Sequence, residues 1–251
     1  MNKINISKMV NSPIGSTTLR EIKLFGDGAS LEEFTRLQAQ GRVTGFTTNP
    51  TLMHRAHIAD YQAFARQLLE VIPDLPISFE VFSDDFGEMR RQAMKIAGWG
   101  PNVYVKIPIT NTHRDSSLPL VSDLSHQGVK LNVTAILTLE QVVGTVEAVD
   151  EDTPAIVSVF AGRIADTGVD PMPIMRAAVA IAARKPLAEV LWASPREVLN
   201  IHQARDCGCH IITATPDILG KLDMAGKDLE DLSQETVAMF HRDAVAAGFQ
   251  L

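Results

Sequence analysis

The chain has 251 residues, 45% of them hydrophobic and 21% charged. That is ample material for a sizeable core, and the length suits one barrel domain. A formal net charge of -7 leaves no basic stripe to meet a phosphate backbone and argues against nucleic-acid binding. An anionic small substrate stays open, since one or two placed arginines are enough to hold it.

Two cysteines occur, Cys207 and Cys209, with one residue between them. A disulfide that close is strained, so the chain fits a reducing compartment. The run Cys207-Gly-Cys-His210 lacks a second ligand pair at zinc-like spacing, and no metal is expected there. Met1–Arg20 is mixed and polar, without the apolar core of a signal peptide. No run approaches the roughly 18 apolar residues of a spanning helix. The expectation is a cytoplasmic protein with no membrane partner.

In chain order, residues 1–20 precede the first strand and read as an N-terminal extension, with residues 21–251 as one barrel domain. Ile22–Gly26 predicts the first strand, ended by Asp27, and Ser30 caps a helix over Leu31–Gln40. Val43–Thr47 is the second strand, with Thr47, Thr48 and Asn49 at its end and Pro50 stopping it. A helix over Tyr61–Val71 leads to a third strand, Ile77–Phe82, which contains Glu80. Asp84 and Asp85 form a loop and cap before a helix over Gly87–Trp99. The fourth strand, Val103–Ile107, carries Lys106 and stops at Pro108; a helix over Leu118–His126 follows. Lys130–Ala135 is the fifth strand, interrupted by Asn132 and Thr134, and Thr138 caps a helix over Leu139–Val149. The sixth, Ala155–Phe160, holds Ser158, with Arg163 close behind and a helix over Pro173–Ala183 beyond. After the seventh, Glu189–Ala193, Ser194 reads as an N-cap and Pro195 as the first residue of a helix over Pro195–Ala204. His210–Thr213 is the eighth strand, and Leu229–Phe249 is one more helix.

Strands that alternate with helices imply parallel pairing, and eight of them favour a closed (β/α)8 TIM barrel. An open doubly wound sheet is the competing architecture. No Gly-x-Gly-x-x-Gly follows the first strand, which weakens a dinucleotide site.

Barrel sites form where strands end, and here polar residues gather at those ends. Singly each is ordinary: threonine is a good strand former and a terminal Asp is commonly a cap. Together they point to a site, because a polar group buried without a partner costs roughly 1–3 kcal/mol. Lys106 interrupts Val-Tyr-Val-Lys-Ile-Pro-Ile, and lysine is seldom buried unless paired or functional. A lysine amine attacks a carbonyl only when unprotonated, and burial or a nearby Arg163 or Arg196 favours that form. Ionised Asp27 or Glu80 would oppose it. The competing account is a lysine whose stem crosses the core and whose head reaches solvent. Arg163 and Arg196 form a natural anion clamp, to which a helix starting at Pro195 would add its N-terminal amides.

The runs Gly45–Met53, Val103–Ile109, Leu131–Ala135, Ser158–Ile164 and Ala193–Arg196 resemble the transaldolase family, which includes the fructose-6-phosphate aldolases. The likeness extends from about Ile22 to about Leu219. It implies that Lys106 takes the place of the Schiff-base lysine and Asp27 that of the acid–base acting at the C4 hydroxyl. Glu80 and Thr134 match the pair that holds the water of the carbinolamine and imine steps. Thr47, Asn49, Asn132 and Ser158 match residues that hold the substrate hydroxyls and the dihydroxyacetone unit. Arg163 and Arg196 match the phosphate arginines, with Ser194 beside the second.

In the family's aldolases Gln tends to stand at Glu80 and Tyr at Phe160, so both residues here take the transferase form. An apolar Phe160 leaves the bound three-carbon carbanion waiting for an acceptor aldehyde. Pro195 departs from the usual aromatic, and Thr112–Ser117 forms a polar loop after the lysine strand. The implied activity is transfer of a dihydroxyacetone unit between sugar phosphates of carbohydrate metabolism. No cofactor is implied, and a homo-oligomer is expected. The rival readings are an aldolase releasing free dihydroxyacetone and a catalytically silent barrel that binds a sugar phosphate. His54 and His57 read as solvated, and Trp99 and Trp192 as packing residues.

Overall fold

The computed structural model describes residues 22–251; the extension expected over residues 1–20 lies outside the described residues. Eight strands follow one another: β1 (Lys23–Asp27), β2 (Gly45–Thr47), β3 (Ile77–Glu80), β4 (Val103–Pro108), β5 (Leu131–Ile136), β6 (Ala155–Val159), β7 (Ala188–Trp192) and β8 (Ile211–Ala214). All pair in parallel with their chain neighbours, and β8 returns to β1 in the register Lys23↔Ile211. That last pairing closes the sheet into a (β/α)8 barrel and excludes the open doubly wound alternative.

The helices are α1 (Leu31–Ala39), α2 (Pro50–Arg55), α3 (Tyr61–Val71), α4 (Phe86–Ala97), α5 (Leu118–His126), α6 (Leu139–Ala148), α7 (Ala161–Asp166), α8 (Met172–Ala182), α9 (Leu199–Asp206), α10 (Pro216–Gly220) and α11 (Leu229–Ala247). Local chemistry sets several starts. Ser30 accepts the Glu33 amide, Asp85 accepts the Glu88 amide, and Thr138 with Gln141 forms a reciprocal capping box, each satisfying donors that a helix leaves unpaired. The short helices α2, α7 and α10 were not foreseen, being too brief to show a helical period. Each follows a strand directly at the C-terminal face of the barrel.

One expected element is corrected. The helix predicted to start at Pro195 begins at Leu199, and Ser194 is not its cap. Ser194 sits at φ 58, in the left-handed region, whereas an N-cap needs extended backbone. The cause is a close approach. Gly162 on α7 donates its amide to Ala193 O at 3.2 Å, and a Cβ on Gly162 would lie 1.5 Å from Ser194 O. The chain leaving β7 is pressed against α7 and turns away as a loop. Asn200 Oδ1 then accepts the loop amides of Arg196 at 2.7 Å and Glu197 at 3.2 Å.

Two apolar layers hold the barrel. The larger lies between sheet and helices and includes Phe34, Phe46, Leu68, Phe79 and Trp192. The smaller fills the barrel interior with Phe25, Ile156, Leu191, Ala193 and Ile211, flanked by Tyr104 and Phe160. Phe25 fits because residue 45 is glycine: a Cβ there would meet its ring at 2.5 Å. At the strand N-termini, Lys23 pairs with Glu189 at 2.8 Å. The barrel is therefore a filled core, and a ligand has room only at its C-terminal mouth. α11 ends at Gly248 with φ 65 and has no buried residue. No helix among the described residues is long and apolar enough to cross a membrane.

Candidate active site

Strand register brings the polar residues together. Asp27 lies beside Thr47, Glu80 beside Lys106, and Lys106 beside Asn132. Because alternate residues of a strand share a face, these side chains meet inside the mouth. All of them but Asn132 border a cavity of about 460 Å³, within the roughly 300–1,000 Å³ usual for small-molecule sites. Every site residue read from the sequence lines it except Asn132; Arg55, Ala135, Leu191, Ala193 and Thr213 join them.

Lys106 is only 6% exposed, so its head does not reach bulk solvent as the competing account required. Its Nζ lies 3.0 Å from Glu80 Oε2 and donates to Thr48 O at 3.2 Å. A buried cation needs such partners, since truncating one side of a buried pair leaves a charge uncompensated. Tyr61 OH donates to Glu80 O at 2.9 Å and steadies the strand end that presents the carboxylate. The two arginines have partners of their own. Arg163 lies over the Phe160 ring, 5.8 Å from its centroid. Arg196 is engaged at the rim by Asp166, through Nε at 3.1 Å and a second bond from Nη2. Glu80 and the Thr48 carbonyl hold Lys106, and its charge acts on the Asp27 carboxyl.

Burial pushes the Asp27 carboxyl above the usual range, against the opposing pull of the Lys106 charge and of the Thr47 hydroxyl. Thr47 Oγ1 donates to Asp27 Oδ1 at 2.8 Å and lies 2.5 Å from Thr213 Oγ1. Thr213 passed in the sequence for a strand former; only closure of β8 on β1 places it here.

Asn132 lies just behind the cavity wall. It is fully buried; its Nδ2 donates to Ser78 Oγ at 3.0 Å and its Oδ1 accepts from Ser158 Oγ at 2.6 Å. It thus orients Ser158, which does line the cavity. Thr134 Oγ1 is buried and makes no hydrogen bond among the described residues. A register shift between Val133 and Ile136, with Ala135 at φ 60, presents Thr134 and Ala135 together to the cavity, as bulges do when they re-aim side chains. Asn49 caps α2 by accepting the Leu52 amide at 2.9 Å, and it lines the cavity. Beyond the rim, Asp84 ties the loop after β4 by accepting from Thr112 N at 2.8 Å and Thr112 Oγ1 at 2.6 Å.

Comparison with known proteins gives this arrangement a family. The family model described as transaldolase/fructose-6-phosphate aldolase matches residues 24–251. The chain belongs to the transaldolase/fructose-6-phosphate aldolase family. Among its relatives is a "Probable transaldolase" of Dehalococcoides mccartyi, 35% identical over 200 residues, covering 79% of this chain and 88% of that protein. A "Probable transaldolase" of Thermoanaerobacter sp. is 32% identical over 231 residues, covering 92% of this chain and all of that protein. One of Streptococcus agalactiae is 35% identical over 193 residues, covering 76% of this chain and 85% of its own length.

This transaldolase-family barrel keeps its thiols away from the mouth. Cys207 and Cys209 are buried among packing residues, and burial raises both thiols above their usual range. His54 and His57 are exposed, and Trp192 is packed in the core. Sequence reasoning missed Arg55, which stands at the rim because α2 carries it there.

Proposed function

We propose that the protein is a transaldolase that moves a dihydroxyacetone unit from a ketose phosphate to an aldose phosphate through a Schiff base on Lys106. The observation that carries this is a lysine amine inside a closed barrel mouth, held between a carboxylate and a carbonyl, with a second carboxyl close by. Lys106 gives up its proton, with Glu80 the nearest acceptor, and Nζ attacks the C2 carbonyl of the ketose. The carbinolamine loses its hydroxyl as water, handled by Glu80 and the Thr134 hydroxyl, and an iminium forms.

Asp27, as carboxylate, then takes the proton of the C4 hydroxyl. The C3–C4 bond breaks, its electron pair flows into the iminium, and the shortened aldose phosphate leaves. Protonated Asp27 returns its proton to the new hydroxyl when an acceptor aldehyde adds. Asn49 offers hydrogen bonds to the substrate hydroxyls, Ser158 and Thr47 accept them, and Arg163 and Arg196 offer charge to the phosphate. Phe160 supplies no proton to the bound carbanion, which favours transfer over release. No metal or organic cofactor enters the scheme, since the iminium itself is the electron sink. The substrates are small sugar phosphates.

Borohydride reduction in the presence of fructose 6-phosphate tests the reading. A stable adduct mapped by mass spectrometry to Lys106, and lost in Lys106→Ala, is the expected result. Transfer at near wild-type rate by Lys106→Ala would remove the mechanism. Steady turnover without any acceptor aldehyde would instead favour the aldolase, and sugar-phosphate binding without an adduct would favour a silent barrel.

A further inference from the structure

We infer that Thr213 on β8 is a positioning residue for Asp27, acting through the hydroxyl of Thr47. The inference rests on Asp27 being the acid–base of the reaction proposed above. Thr213 is 5% exposed and faces the mouth. Its hydroxyl lies 2.5 Å from Thr47 Oγ1, and Thr47 Oγ1 lies 2.8 Å from Asp27 Oδ1.

Proton counting sets the direction of this chain. An ionised carboxylate only accepts, and a threonine hydroxyl has one proton to give. Thr47 therefore donates to Asp27, and Thr213 donates to Thr47. A donor that is itself polarised by a second donor binds its acceptor more strongly. The relay also occupies Oδ1 of Asp27, so a proton arriving from substrate settles on Oδ2. Thr213 thereby favours the carboxylate and keeps the reactive oxygen free.

The other charged groups around Asp27 do not replace this contact. Lys106 on β4 favours the carboxylate through space, but its nearest hydrogen-bond partners are Glu80 on β3 and Thr48 O. Arg55, Arg163 and Arg196 line the same cavity from the loops and short helices above. Only the pairing Phe25↔Thr213 between β1 and β8, with Asp27↔Thr47 on the other side, brings the two hydroxyls into line.

Thr213→Val keeps the shape and removes the hydroxyl, and Thr213→Ser restores it. Rates of dihydroxyacetone transfer from fructose 6-phosphate are measured across pH for both variants, with borohydride trapping on Lys106 alongside. The valine variant is expected to move the acid limb of kcat upward by about half a pH unit, a three-fold loss below the limb. Its KM and trapped adduct stay near wild type, and serine returns the limb. An unchanged limb in a folded valine variant overturns the inference, as does a raised KM with the limb in place, which marks a substrate contact. If the wild type gives no adduct, or Asp27→Asn keeps full activity, the proposed function itself falls, and this inference with it.

Discussion

Replacing Gly162 with alanine tests how the arginine-bearing end of the mouth is built. The new methyl would stand 1.5 Å from Ser194 O and 2.6 Å from Ser194 C. Contacts under 3.0 Å are not tolerated, so the two segments must part by about 1.5 Å. The clash is methyl against backbone, and no side-chain rotation relieves it. Overpacking costs typically ~1–3 kcal/mol, and this contact belongs at the top of that span. For a chain of this size that lowers the melting temperature by roughly 6–12 °C.

Function should suffer beyond stability. Arg163 follows the new methyl directly, and Arg196 lies just beyond the displaced Ser194. A shift of about 1 Å in a binding group costs up to 100-fold in rate, so KM for fructose 6-phosphate should rise ten-fold or more. Thermal unfolding followed by circular dichroism and steady-state kinetics provide the readouts. Gly220→Ala is the control, because a Cβ there meets no atom within 4 Å. Gly162→Ala melting within a degree or two of its parent, with an unaltered KM, would refute the reasoning.

Asp27→Asn should abolish transfer while making the fold more stable at neutral pH. The folded carboxyl titrates above its unfolded value, so its protonated form favours the native state. That contribution is fully present below the unfolded value and is lost as pH rises through the folded one. Urea midpoints of parent and variant should therefore diverge on going from acid to neutral pH; parallel curves would count against it. Asn132→Leu strands the buried hydroxyls of Ser78 and Ser158 and should cost about 2–4 kcal/mol. A loss under ~0.5 kcal/mol by urea unfolding would show that those bonds are not needed. Cys207 and Cys209, buried and with raised thiols, should react with a thiol reagent at mild alkaline pH only after denaturation. Rapid labelling of the folded protein would contradict their placement.

Local patterns carried much of this molecule. Apolar runs of strand length, amphipathic stretches and caps such as Ser30 and Thr138 are properties of neighbouring residues, so the order of strands and longer helices was legible. The polar interruptions were legible too: Lys106 stands out among Val105, Ile107 and Pro108 because its chemistry conflicts with its surroundings. The short helices were not, since five or six residues hold too little of a period.

What only the tertiary structure decided depends on segments far apart in sequence. Closure of β8 on β1 places Thr213 against Thr47, though 166 residues separate them. The approach of Gly162 to Ser194 turns the predicted start of a helix at Pro195 into a left-handed bend and a loop. The register shift in β5 brings Ala135 to the cavity beside Thr134, while Asn132, donating to Ser78 and accepting from Ser158, is held behind the wall. A chain encodes its local preferences residue by residue, but which atoms fall within 3 Å of one another is set by packing the whole barrel at once.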